Sequence, residues 1–177
     1  MKHYTRRVLA VFLMLVMLMG TMSVSTFAAT QTKSVKKQTF STRTNTIKKK
    51  AATVKKGTTK LVIKKGEGYV KFKAPKTKYY KFTFSNFKSK KFSSNGFIYI
   101  QKPDKYSPEY SWQENVKTKG GKSTTLWMSV NGYKHSGKLL YRPLAKRTGK
   151  IKLKKGETVY IYFYFSSSKH TGKVSIK

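Results

Sequence analysis

The sequence contains no cysteine, and only five of its 177 residues are acidic: Glu67, Asp104, Glu109, Glu114 and Glu157. The first absence excludes disulfide frameworks, zinc fingers and thiolate catalysis. The second leaves little material for paired-carboxylate acid–base chemistry, or for the oxygen-rich cages that hold calcium and magnesium. Helical periodicity is missing too once the first 28 residues are passed. What the chain has in quantity is positive charge, with 40 lysines and arginines and a formal charge of +35.

The N-terminus reads as a secretory signal peptide over residues 1–28. Lys2, Arg6 and Arg7 precede an uncharged apolar run from Val8 to Met19, and Thr26-Phe27-Ala28 offers small residues for cleavage after Ala28. That run is shorter than the roughly 20 apolar residues a membrane-spanning helix needs. The expectation is a secreted protein, extracellular or held at the cell wall. An exported chain without cysteine fits a Gram-positive bacterium, since small domains from oxidising compartments usually carry disulfides.

Residues 29–56 hold nine cations, no acid and few apolar side chains. So little apolar surface is expected not to offset the entropy of ordering the chain. The segment reads as a disordered basic linker or tail, serving either as an electrostatic tether or as a plain spacer.

From residue 57 to 177 the pattern is that of short strands. Tyr80, Phe82 and Phe84 alternate with Tyr79, Lys81 and Thr83, and Val70, Phe72 and Ala74 alternate in the same way. Residues 97–101, 125–130, 150–153, 159–165 and 173–176 add strands rich in β-branched and aromatic residues. Strands at this spacing predict an all-β fold, an antiparallel β-sandwich or jelly roll. An internal echo supports it. Lys60-Leu61-Val62-Ile63-Lys64-Lys65-Gly66-Glu67 returns as Lys150-Ile151-Lys152-Leu153-Lys154-Lys155-Gly156-Glu157. Each copy reads as a hairpin, with the glycine at the positive-φ position of a tight turn.

Two stretches carry a family resemblance. Residues 69–82, YVKFKAPKTKYYKF, and the closing strands at 151–162 and 172–176 resemble the bacterial pre-peptidase C-terminal domains, over roughly residues 57–177. The resemblance implies a non-catalytic jelly-roll accessory that aids secretion or attachment to a surface or substrate. No peptidase precedes the domain here, and the acidic clusters that hold calcium in some members are absent.

Candidate chemistry is sparse. Asp104, Glu109 and Glu114 share a loop, but acids among so many lysines more often form exposed ion pairs than a metal site. His135 and His170, with Ser166 to Ser168, would be the material of a secreted hydrolase, yet no Gly-x-Ser-x-Gly elbow is present. The expectation is no enzyme, no metal and no cofactor.

The aromatics say more. Tyr106, Tyr110 and Trp112 lie in a loop stiffened by Pro103 and Pro108, where rings would either stack on a sugar or cap the core. Trp127 reads as core or half-core. Tyr160, Tyr162 and Tyr164 share the strand face opposite Val159, Ile161, Phe163 and Phe165. Alternation does not distinguish a binding ladder there from a second buried face.

Charge is the strongest functional signal. Residues 57–177 alone carry 28 cations against all five acids, a charge of +23. Such a field repels itself unless a polyanion or counterions screen it. The expected role is a non-catalytic adhesion module for anionic cell-surface or extracellular polymer: teichoic acid, anionic glycans or host matrix, with nucleic acid bound only non-specifically. The expected contacts are Lys48, Lys49, Lys50, Lys55 and Lys56 of the tail, and Lys64, Lys65, Lys154 and Lys155 at the two turns. The competing reading is a carbohydrate-binding module for neutral glycans built on Tyr106, Tyr110 and Trp112.

Overall fold

The alternating segments become two packed sheets in the computed structural model, which describes residues 30–90, 95–103, 112–114, 117–118, 121–122, 125–129, 133–141, 144–165 and 168–177. In chain order the strands are β1 (Gln31–Val35), β2 (Ala52–Thr53), β3 (Gly57–Ile63), β4 (Glu67–Lys73), β5 (Lys78–Ser89), β6 (Asn95–Pro103), β7 (Trp112–Glu114) and β8 (Lys117–Thr118). They continue as β9 (Gly121–Lys122), β10 (Thr125–Ser129), β11 (Tyr133–His135), β12 (Lys138–Tyr141), β13 (Lys146–Leu153), β14 (Thr158–Phe165) and β15 (His170–Ile176). One helix among the described residues, α1 (Thr44–Lys50), falls between β1 and β2. One sheet runs β1-β3-β15-β5-β13-β8-β9 and the other β10-β6-β14-β4-β2, with β7 also on β6 and β11–β12 as a separate ribbon. This is the all-β sandwich the alternation predicts.

Side chains at every second position meet between the sheets. Tyr80, Phe82 and Phe84 of β5 face Phe72 of β4 and Phe163 of β14, all at most 1% exposed. Their rings pack edge to face, with Phe72–Phe82 centroids 5.7 Å apart and Phe84–Phe163 6.0 Å apart. Full burial of each such ring contributes about 1.5–3 kcal/mol.

The echoed turns correct the sequence reading. Gly66 and Gly156 do take positive φ, 76° and 83°. The strands they join do not pair as hairpins: β3 and β13 lie in the seven-stranded sheet, β4 and β14 in the six-stranded one. Each turn carries the chain across the sandwich instead. A local turn signal is the same whether the chain folds back beside itself or crosses to the facing layer. Hydrogen bonds tie each crossing to the end of the neighbouring strand, Phe165 N at the end of β14 donating to Gly66 O at 2.8 Å and Gly156 N to Ala74 O, just past β4, at 2.7 Å.

Residues 30–56 overturn a second expectation, for they are not a disordered tail. β1 extends the seven-stranded sheet by parallel pairing with β3, and β2 pairs parallel with β4. Between them α1 docks on the outer face of the six-stranded sheet, burying Ile47 and Ala51 against Tyr69, Tyr160 and Tyr162. The helix is only seven residues long, too short to be stable alone, and no acid stands in its first turn. Its stability comes from that contact and from Lys48, Lys49 and Lys50 at its C-terminus, where cations complement the helix dipole. Few apolar residues suffice because Val35, Ile47 and Val54 are each at most 1% exposed.

Candidate functional site

The outer face of the seven-stranded sheet is built by the positions that alternate with the core residues. On β3 these are Thr58, Lys60 and Val62, on β15 Thr171, Lys173 and Ser175, on β5 Tyr79, Lys81, Thr83 and Ser85, and on β13 Lys146, Thr148, Lys150 and Lys152. Strand register sorts them into rows. Lys60 stands opposite Lys173, Lys173 opposite Ser85, and Ser85 opposite Lys146. The next row holds hydroxyls, Thr58, Ser175, Thr83 and Thr148, joined in part by Thr58–Ser175 and Thr83–Thr148 hydrogen bonds of 3.2 and 3.4 Å. Beyond it come Lys177, Lys81 and Lys150, the first two tied by reciprocal backbone hydrogen bonds of 3.1 Å. Neighbouring strands are about 4.8 Å apart and successive rows on one face about 6.8 Å apart. The face is thus two lysine rows flanking a band of hydroxyls.

The described acids do not neutralise it. Among the described side chains the carboxylates are Glu67 and Glu157, and both are committed at turns. Glu157 accepts from Lys102 Nζ at 2.6 Å and from Lys154 N at 2.8 Å. Desolvation pushes its pKa up, but the Lys102 and Lys154 hydrogen bonds and charges outweigh this and leave it below the usual carboxylate value. Glu67 accepts from Tyr162 Oη at 2.8 Å and lies 3.8 Å from Lys37 Nζ. Burial first, and then that contact with Glu67, raises the Tyr162 phenol well above its ordinary pKa.

A depression of about 480 Å³ breaks the lysine face where β5 bulges against β15. Between the Ser85–Lys173 and Lys88–Thr171 pairs, Asn86 and Phe87 oppose Gly172 alone. Asn86 adopts a left-handed conformation, φ 57°, which Asn tolerates better than most residues. Phe87 turns inward onto Gly172, where a Cβ would lie 2.5 Å from its ring. Lys60, Lys88 and Lys173 rim the depression, with Asn86 and Thr171 as further polar lining.

The opposite face of the sandwich is aromatic. Tyr160 and Tyr162 are buried beneath α1, so the tyrosine ladder is in part a second buried face, while Tyr164 remains 51% exposed. Tyr162 stacks on Tyr69 at 4.5 Å and contacts Tyr99 at 6.0 Å and Phe40 at 5.9 Å. Phe40, Phe97 and Tyr164 are the exposed members of this cluster.

The residues expected at the site are scattered. β4 and β14 are antiparallel, with Glu67 opposite Tyr164 and Lys73 opposite Thr158. Lys64 and Lys65 therefore lie at one end of that pair and Lys154 and Lys155 at the other, all exposed. Lys48, Lys49 and Lys50 belong to α1, and the Lys48 carbonyl accepts from Lys71 Nζ at 2.6 Å; Lys55 and Lys56 are exposed before β3. Trp112 begins β7 opposite Pro103 and Trp127 sits opposite Phe97 on β10, but both side chains lie outside the described residues. So do Tyr106 and Tyr110, the His135 side chain and residues 1–28.

His170 is fully buried, its ring stacked on Phe165 at 4.9 Å and its Nδ1 donating to Ser168 O at 2.9 Å. Burial lowers its pKa, opposed in part by that hydrogen bond. A histidine sealed in the core has no route to a substrate. Among the described residues no cluster of His, Cys, Asp and Glu suits a metal.

No family model matches the chain, and no curated protein matches it. Among solved structures it is similar to the surface-associated copper-binding protein CorA of Methylomicrobium album BG8, at 7% identity and a TM-score of 0.39, over 72% of this chain and 98% of that one. A likeness at that level carries no argument about ligand or mechanism.

Sequence reading missed the lysine rows of β3, β5, β13 and β15. Their signal was present, as lysine or hydroxyl residues at every second position of predicted strands. Only register assembles them into one face.

Proposed function

We propose that the protein is a secreted, non-catalytic binding module that attaches to an anionic polymer of the cell surface, of the teichoic acid or anionic glycan class, through the outer face of its seven-stranded sheet. The observation that carries this reading is the register that sets Lys60 against Lys173 and Lys81 between Lys177 and Lys150, with no acid on the same face among the described residues. Directly opposed like charges destabilise a sheet, and an anionic polymer lying across the strands removes that repulsion. Among the described residues no helix is long and apolar enough to cross a membrane.

The hydroxyl row favours a polymer rich in hydroxyls over nucleic acid. Single-stranded nucleic acid is usually gripped by rings on which bases stack, and Tyr79 is the one aromatic on this face among the described residues. A second reading, glycan binding through Phe40, Phe97, Tyr99 and Tyr164, rests on the exposed ring cluster of the other sheet.

Sedimentation of residues 29–177 with Gram-positive cell walls, before and after removal of teichoic acid and across a sodium chloride titration, separates the two. Polyanion attachment disappears on stripping and falls steeply with salt. Binding that persists on stripped walls in high salt and is lost in Phe97→Ala/Tyr164→Ala would replace it with the glycan reading.

A further inference from the structure

We infer that the depression at the β5–β15 bulge is a seat for one phosphodiester group of the bound polymer, the point at which an otherwise diffuse electrostatic attachment is held in register. The inference rests on the polyanion reading and locates it. Three exposed ammonium-bearing side chains, Lys60, Lys88 and Lys173, come from three adjacent strands to rim a single concavity, joined there by the Asn86 amide and the Thr171 hydroxyl. A tetrahedral oxyanion presents several acceptor oxygens to such a ring of donors, and lysine meets phosphate as a point charge.

The bulge supplies what the flat part of the face lacks. A bulge takes one residue out of the ladder, leaves its backbone polar groups available and kinks the strand, and such features recur beside binding sites. Here it also places Asn86 in a left-handed conformation at the rim of the depression, while Phe87 and Gly172 lock the arrangement from the core side. No acid occurs among the residues lining the depression. From the seat a chain can continue along Lys173, Ser85 and Lys146 on one side of the hydroxyl row, or cross it towards Lys81 and Lys150.

The test compares two triple variants of equal charge loss. Lys60→Gln/Lys88→Gln/Lys173→Gln removes the rim, and Lys81→Gln/Lys150→Gln/Lys152→Gln removes the far lysines. Backbone amide shifts are followed during titration with inorganic phosphate, then with a glycerol phosphate oligomer, at constant ionic strength. The expected result is a saturable shift centred on Asn86, Lys88, Thr171 and Lys173, kept by the far-lysine variant and lost by the rim variant, with the oligomer at least tenfold tighter than inorganic phosphate. Shifts spread over both lysine rows, or lost equally in both variants, would overturn the seat. An oligomer no tighter than phosphate would overturn its assignment to a polymer. Wall sedimentation of the same variants keeps the two levels apart. If the wild type binds walls by a teichoic-acid-dependent, salt-sensitive interaction and both variants weaken it equally, the seat fails and the polyanion reading stands. If the wild type does not bind walls at all, the polyanion reading fails, and the polymer assignment of the seat falls with it.

Discussion

Lys60 and Lys173 stand directly opposite each other on adjacent antiparallel strands, both exposed, with no acidic side chain beside them on that face of the sheet among the described residues. Cross-strand like charges are destabilising, so this pair is an unfavourable contact in the isolated protein and a favourable one only when an anion lies over it.

Lys173→Glu should therefore separate stability from binding. It converts the pair to opposite charges and is expected to raise stability by about 0.2–1 kcal/mol, a gain that fades as salt screens it. Thermal melts at low and high salt measure this, and the same variant should bind anionic walls more weakly. A variant that melts lower than the wild type at low salt would show that the two ammonium groups do not repel appreciably.

The N-terminal segment is predicted to be integral to the fold. Ile47→Ala removes a fully buried side chain from the contact between α1 and the tyrosines, and should cost about 2–5 kcal/mol in urea unfolding. Gly68→Ala should disturb the same segment where it leaves β1, because a Cβ there would collide with Lys36 O and Val35 Cγ1; limited proteolysis within residues 36–50 should accelerate. No change in either measurement would restore the picture of a free tail.

Gly172→Ala tests the bulge. The added methyl meets the Phe87 ring, itself fully buried between the sheets, at 2.5 Å, and overpacking of this kind typically costs about 1–3 kcal/mol. Gly172→Ala combined with Phe87→Leu should recover part of the loss, as measured by the urea midpoint.

Acidification should weaken the fold through His170. Burial lowers its pKa in the folded state, so the unfolded chain takes up a proton first. Stability is complete above the ordinary histidine value of about 6.5 and falls as the pH drops from there towards the lowered folded value. In His170→Phe that slope should flatten. Glu157, whose net folded pKa lies below the usual carboxylate value, adds a second decline at lower pH that Glu157→Gln should remove. Melting temperatures between pH 8 and pH 3 resolve the two.

Some of this was present in the sequence alone. The inward faces of β4, β5 and β14 follow from period-two alternation, which depends only on each strand's own backbone: Val70 and Phe72, then Tyr80, Phe82 and Phe84, then Val159, Ile161, Phe163 and Phe165 are buried as read. Gly66 and Gly156 take the positive φ their turns required. The excess of lysine over acid is likewise a property of the sequence.

Three decisions belonged to the tertiary structure. Whether a Lys-Lys-Gly-Glu turn returns beside its own strand or crosses to the facing sheet depends on which partner each strand finds, and β4 pairs with β14, some 90 residues away, in preference to β3. Whether residues 30–56 order depends on a docking surface formed by Tyr69, Tyr160 and Tyr162, distant in sequence. Whether lysines scattered from 60 to 177 form rows depends on the register of β3, β15, β5 and β13. Alternation is local and can be read residue by residue. Pairing and register are set by the shared burial of segments far apart in the chain, and they are what turned a composition into a surface.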